Sequence, residues 1–127
     1  MIDHVSVAVS DLGRALDFYQ AVLATLGYER LETRPATIAF GKNYSEFWIN
    51  HRPGMVPLPN DCGSHIALRA ASREMVDAFH EAALVQGGAS DGAPGLRTHH
   101  GDGYYSAYIR DPDGNRIEAV SFLKPAG

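Results

Sequence analysis

The sequence lacks the features that define several large classes of protein. It has one cysteine, Cys62, in 127 residues, and a lone thiol closes no internal disulfide and builds no thiolate cage for a metal. Cys62 therefore reads as a small loop residue. No apolar run approaches the roughly 20 residues that a bilayer span requires, and the first residues lack the basic start and apolar stretch of a secretory leader. The expectation is a cytoplasmic protein with no membrane partner. Basic charge is scarce as well: 11 Lys and Arg stand against 15 Asp and Glu, for a net charge of −4. That leaves no cationic stripe to neutralise phosphates, so nucleic acid is not an expected partner. The remaining balance, 45% hydrophobic and 20% charged, is that of an ordinary globular chain whose length fits one domain, residues 1–127.

What the sequence does have is an internal repeat. The stretch HVSVAVSDLGRALDFYQAVLATLGY, beginning at His4, lies over HIALRAASREMVDAFHEAALVQGGA, beginning at His65, without gaps and at a constant offset of 61. Residues 4–9 and 65–70 alternate larger aliphatic side chains with small or polar ones, the period of a half-buried strand. Ser10 or Asp11 in one copy and Ser72 in the other can cap a helix. Leu12, Ala15, Leu16, Tyr19, Val22 and Leu23 then keep helical spacing, as do Met75, Val76, Phe79, Ala82 and Ala83, so each stripe is a core face. Gly27 and Gly88 suit the left-handed position that ends a helix.

Strands are expected next over 38–41 and 46–50 in the first half, and over 104–111 and 115–122 in the second. Each half reads as βαβββ, giving an α+β chain of two modules, about 1–52 and 64–123. The segment from Arg52 to Gly63, with Pro53, Pro57 and Pro59, joins them as a connector. The Gly-rich stretch from Gly87 to Gly103, with His99 and His100, reads as a second irregular segment, a binding lid or a disordered loop.

Strand alternation assigns each strand a second face, turned away from the helices. Val5, Val7 and Val9 pack on helices and leave His4, Ser6 and Ala8 opposite; Ile66 and Leu68 leave His65, Ala67 and Arg69. Phe47 and Ile49 turn inward, leaving Glu46, Trp48 and Asn50. Ile117 and Ala119 do the same and leave Arg116, Glu118 and Val120. The turn at Asp113-Gly114 makes Tyr108 and Glu118 cross-strand neighbours and brings Tyr104 and Ser106 to that face. Two histidines at equivalent places in a duplicated unit, His4 and His65, thus share a face with Glu118. Two imidazoles and a carboxylate suit a divalent ion such as zinc, nickel, manganese or iron with coordination positions left open. A single strand histidine is ordinarily a surface or satisfied residue, and a lone Glu118 would be solvated; their coincidence at repeat-related sites favours ligands. His80 is explained by helix packing, and His99 and His100 lie in the lid-like stretch.

The segments DHVSVAVSDLGRALDFY, SHIALRA and DPDGNRIEAV resemble the vicinal oxygen chelate superfamily of glyoxalase I, bleomycin-resistance proteins and extradiol dioxygenases, over nearly the whole chain. The resemblance implies βαβββ modules curling into a barrel-like mixed sheet with helices outside, commonly as a homodimer, around a metal that chelates neighbouring oxygens of a small-molecule substrate. His4, His65 and Glu118 match its ligand positions. The fourth glyoxalase I ligand, a glutamate, is replaced here by Trp48, while Glu46 has the same parity. An aromatic in that place resembles the fosfomycin-resistance thiol transferases, although this sequence ends at Gly127 without their basic C-terminal segment. The implied chemistry is Lewis-acid stabilisation of an enediolate or oxyanion. Glu46 and Tyr108 are candidates for proton transfer; Trp48, Tyr104, Ser106, Arg69 and His100 for contacting substrate; Phe40 for a pocket wall. Dioxygenase or thiol-transferase activity, and a metal-free drug-binding protein of the bleomycin-resistance type, are the alternatives.

Overall fold

The computed structural model describes residues 1–122, in which the chain runs β1 (Val5–Val9), α1 (Leu12–Ala24), β2 (Glu29–Thr33), β3 (Thr37–Gly41), β4 (Phe47–His51), β5 (Ile66–Arg69), α2 (Arg73–Val85), β6 (Ala89–Leu96), β7 (Tyr105–Arg110) and β8 (Arg116–Ser121). A single 3-10 turn spans Thr98–His100. The helices stand one repeat length apart at both ends. The expected end of the second module, at 123, lies outside the described residues.

Each helix begins where its cap can satisfy a free amide. Asp11 Oδ1 accepts from the Arg14 amide at 3.0 Å and Ser72 Oγ from the Met75 amide at 3.2 Å, each cap stabilising its helix by about 1 kcal/mol. Helix α1 buries Ala15, Phe18, Tyr19, Val22 and Leu23, and α2 buries Val76, Phe79 and Ala83. Phe18 belongs to the core although the spacing reading did not include it in the stripe. Past α1, Gly27 takes the left-handed conformation at φ 88°; past α2 it is Gly87, at φ 91°, and not Gly88. Gly88 is required for space instead, since a Cβ there would lie 2.6 Å from the Arg110 carbonyl oxygen and 2.7 Å from the Phe18 ring.

The strands form two mixed four-stranded sheets, β1-β4-β3-β2 and β5-β8-β7-β6. In each, the first strand runs parallel to the last and the remaining pairs are antiparallel. The two sheets are not closed into a barrel. The apolar core lies between sheets and helices, and Phe40, paired with Phe47, sits inside it at 1% exposure. Phe40 is thus a core residue and not the wall of a pocket.

Strands β2 and β6 depart from the expectation. Strand β2 is an edge whose residues ERLET are mostly exposed, so no apolar alternation announces it. Strand β6 replaces the first part of the irregular stretch from Gly87 to Gly103. It is also an edge, and its pairing with β7 shifts register between Ser90 and Gly92 and again between Gly92 and Gly95. An edge with bulges tolerates the glycines and Pro94 that would break a central strand.

The turn DPDGN fastens the second module to the first. Asp113 accepts from the Ser10 amide at 3.0 Å and the Ser10 hydroxyl at 2.5 Å. Asp111 accepts from the Tyr19 hydroxyl at 2.5 Å, from Asn115 Nδ2 and from the backbone amides of Asp113 and Asn115. Asn115 Nδ2 also donates to the Ala8 carbonyl at 2.8 Å. Burial pushes the Asp111 carboxyl above its ordinary range despite these donors, and burial with the neighbouring carboxylate pushes the Tyr19 phenol well up. The connector is held down too: the Leu58 amide donates to the Asp113 carbonyl at 2.9 Å, and Arg116 donates to the carbonyls of Asn60 and Cys62.

Candidate functional site

The second faces of the two sheets differ. On the first sheet Trp48 pairs with Ser6 and Ala39, and the Arg34 guanidinium lies 5.1 Å from the Trp48 ring. On the second sheet, polar and aromatic groups converge. Tyr108 and Glu118 are direct cross-strand partners, as the Asp113-Gly114 turn implies, and Ala67 flanks Glu118 on the other side.

Glu118 is the centre of that face. It is 1% exposed, so it is not the solvated carboxylate that a lone strand glutamate would be. One oxygen lies 3.1 Å from His65 Nε2, and the other accepts the Tyr104 hydroxyl at 2.6 Å. Partial burial, then the hydrogen bond to Glu118 and its charge, push the Tyr104 phenol far above its ordinary value, so Tyr104 is a donor at physiological pH. The His65 and Tyr108 rings lie 6.1 Å apart. An aromatic row continues through Tyr104, with His100 at 5.0 Å on one side and Phe122 at 5.3 Å on the other; the His99 ring lies 4.0 Å from that of His100, tilted by 45°, and Arg69 covers Phe122 at 5.0 Å. Ser106 is fully buried, and its hydroxyl makes no hydrogen bond among the described residues.

His4 lies just ahead of β1 as His65 lies just ahead of β5, but it does not reach the His65–Glu118 pair. Its Nδ1 is 2.8 Å from Asp3 Oδ1, and its side chain is 53% exposed. Among the described residues, no three His, Cys, Asp or Glu side chains converge closely enough to hold an ion. His4, Glu46 and His65 nevertheless line one cleft of about 350 Å³ with Tyr28 and Phe47. Arg97 is a member of the polar face that the sequence reading missed. Its guanidinium lies 5.5 Å from the Tyr108 ring; the only sign of it in the sequence is the pair of glycines, Gly92 and Gly95, that makes room on β6.

A duplicated βαβββ unit with paired histidines and a buried glutamate after a DPDG turn can be compared with known proteins. A sequence model of the Glyoxalase/Bleomycin resistance protein/Dioxygenase superfamily matches residues 1–119. The chain belongs to this superfamily. A crystal structure of a glyoxalase/bleomycin resistance protein from Albidiferax ferrireducens T118 is 36% identical, with a TM-score of 0.82 over 94% of this chain and 97% of that one. The fosfomycin resistance protein FosX from Listeria monocytogenes shares the superfamily fold at 20% identity and a TM-score of 0.68, over 95% of this chain and 92% of its own. Among curated sequences, the Bacillus subtilis (strain 168) protein named Uncharacterized protein YqjT is 28% identical over 93% of this chain and 96% of its own. The superfamily includes enzymes and binds small molecules. Both helices of this member are 13 residues, and no described helix is long and apolar enough to cross a membrane.

Proposed function

We propose that this chain is a metal-dependent enzyme of the cytoplasm that acts on a small oxygenated molecule, with one divalent ion held by His65, Glu118 and His4. The observation that carries this reading is the 3.1 Å approach of His65 Nε2 to a carboxylate that is 1% exposed. Ligand atoms about 2.1 Å from one ion and at right angles around it stand about 3 Å apart, so the pair is spaced for a shared ion. An imidazole and a carboxylate suit zinc, nickel, manganese or iron.

The third ligand, His4, comes in this reading from a second copy in a homodimer. The two sheets remain unclosed within one chain, and His4 is turned to Asp3. A partner's first sheet, set over the second sheet, would close the cup and carry its His4 to the pair. A bound ion would supply Lewis acidity, stabilising negative charge that develops on a substrate oxygen. The chain's own residues orient the substrate and move its proton: Tyr108 beside Glu118 and Glu46 in the cleft with His4 and His65 are the candidates for the proton, and Trp48, Tyr104, Arg69 and His100 for the walls.

The test uses tag-free protein. About one ion per chain is expected, with uptake lost in both His4→Ala and His65→Ala. Hybrids formed by refolding the two variants together regain uptake at one of their two sites, because one site then has every ligand intact. Hybrids that stay empty overturn the shared site. Wild type that takes up far less than one ion per chain, even with metal added, overturns the enzyme reading. It leaves the metal-free binding protein, which is favoured by one observation: both Glu118 oxygens already have partners within the chain.

A further inference from the structure

Arg97 sits on the polar face of the second sheet with no carboxylate partner among the described residues. Four arginines do reach carboxylates: Arg14 pairs with Asp113, Arg34 with Glu32, and Arg110 and Arg116 with Asp91. Arg97 Nη2 instead donates to two neutral acceptors, the Ala93 carbonyl at 2.6 Å and the Ser106 carbonyl at 3.3 Å, while the guanidinium plane covers Tyr108.

The fold makes room for it there. A Cβ on Gly92 would lie 2.9 Å from the Tyr108 ring and 3.4 Å from Arg97 Nη2, and one on Gly95 would lie 3.5 Å from Arg97 Nη1. Ser106, which pairs with Gly95 on the neighbouring strand, is the fully buried residue whose hydroxyl has no partner among the described residues. A guanidinium has five donors in a fork matched to a carboxylate, and a buried hydroxyl left unpaired is destabilising. One anionic oxygen pair would answer both groups.

We propose that Arg97, Ser106 and Tyr108 form a subsite for the carboxylate of a small organic acid, whose other end presents its oxygens to the His65–Glu118 pair. Ala67, Glu118, Tyr108 and Gly92 form one row across the sheet; His65 reaches Glu118 from just ahead of β5, and Arg97, just past β6, folds its guanidinium back over Tyr108. Glu118 and Gly92, whose missing Cβ leaves room for Arg97 Nη2, are two strand spacings apart, roughly 10 Å, which is the reach of one substituted ring or a short hydroxy acid with its contacts. This inference rests on the proposed metal site only for the placement of the substrate's far end.

The experiment is calorimetric titration of tag-free protein, metal-free and zinc-loaded, with catechol and with 3,4-dihydroxybenzoate, which carries the same vicinal oxygens plus a carboxylate. The wild type binds the acid at least about tenfold more tightly in both forms, as expected for a charged bidentate contact. Arg97→Gln loses that preference while catechol binding and metal content are retained, and Arg97→Lys recovers it only in part. Equal affinities in the wild type, or a preference that survives Arg97→Gln, overturn the subsite. A protein that takes up no metal but keeps the preference sinks the metal site and leaves the subsite standing; one that takes up metal without the preference sinks the subsite alone.

Discussion

A buried glutamate with an imidazole on one oxygen and a phenol on the other has little rotational freedom left. Tyr104, donating at 2.6 Å, fixes which Glu118 oxygen faces His65. Under the proposed metal site its main work is to aim a ligand, with substrate contact secondary. Tyr104→Phe removes one hydroxyl and leaves the ring between His100 and Phe122. Metal affinity is expected to fall roughly 10–100-fold, read by competition with a chelator, and the thermal midpoint of the metal-free protein to fall as well, since one oxygen of the buried Glu118 loses its donor. Unchanged affinity would return Tyr104 to a packing or substrate role.

Asp111 makes a separate residue-scale prediction, about pH. Its folded value is raised by burial. Between the ordinary carboxylate range and that raised value, the folded protein binds a proton that the unfolded chain does not. The Asp111 contribution to stability therefore grows as pH falls through that window and diminishes as pH rises. Urea unfolding of wild type and Asp111→Asn across the acid range isolates it: on acidification the difference between the two changes in the wild type's favour if the sign is right, and against the wild type if it is wrong.

The elements show which signals survive translation into structure. Both helices, their caps, the strands that follow His4 and His65 and the strand bearing Glu118 were legible, because one apolar face against a core imposes a period that side chains must obey. Edges impose none. Strand β2 has solvent along most of its length, and β6 gains its strand character from pairing with β7, so neither left a pattern to read. The glycine after α2 was misassigned because the repeat offset slips by one residue there: Gly87 takes the positive φ, and Gly88 yields space. Gly88→Ala is accordingly expected to destabilise by about 1–3 kcal/mol, since the closest atom is a backbone carbonyl that cannot rotate away. Urea unfolding measures it. Gly63→Ala, with nothing within 4 Å of its Cβ, is the control and should have little effect.

At the scale of the whole molecule, strand parity sorts side chains between the two faces of one sheet, but it put His4 on a common face with His65 and Glu118 and could not fix distances between modules. Parity carries no information about how one sheet is set against another. His65, Glu118, Tyr104 and Tyr108 came together because a single sheet carries them. His4 did not, because the first sheet is a separate surface. Arg97 lay beyond reach of any pattern, being placed by a bulged edge and the turn that follows it.

The DPDGN turn links segments about a hundred positions apart: Ser10 and Tyr19 find their acceptors on Asp113 and Asp111. During synthesis the first module therefore leaves the ribosome with the Ser10 amide and the Tyr19 phenol unanswered, and they stay so until almost the entire chain has been made. A nascent chain cut short of that turn would keep both donors without their carboxylates, so the first module reaches its final hydrogen bonding only as translation ends.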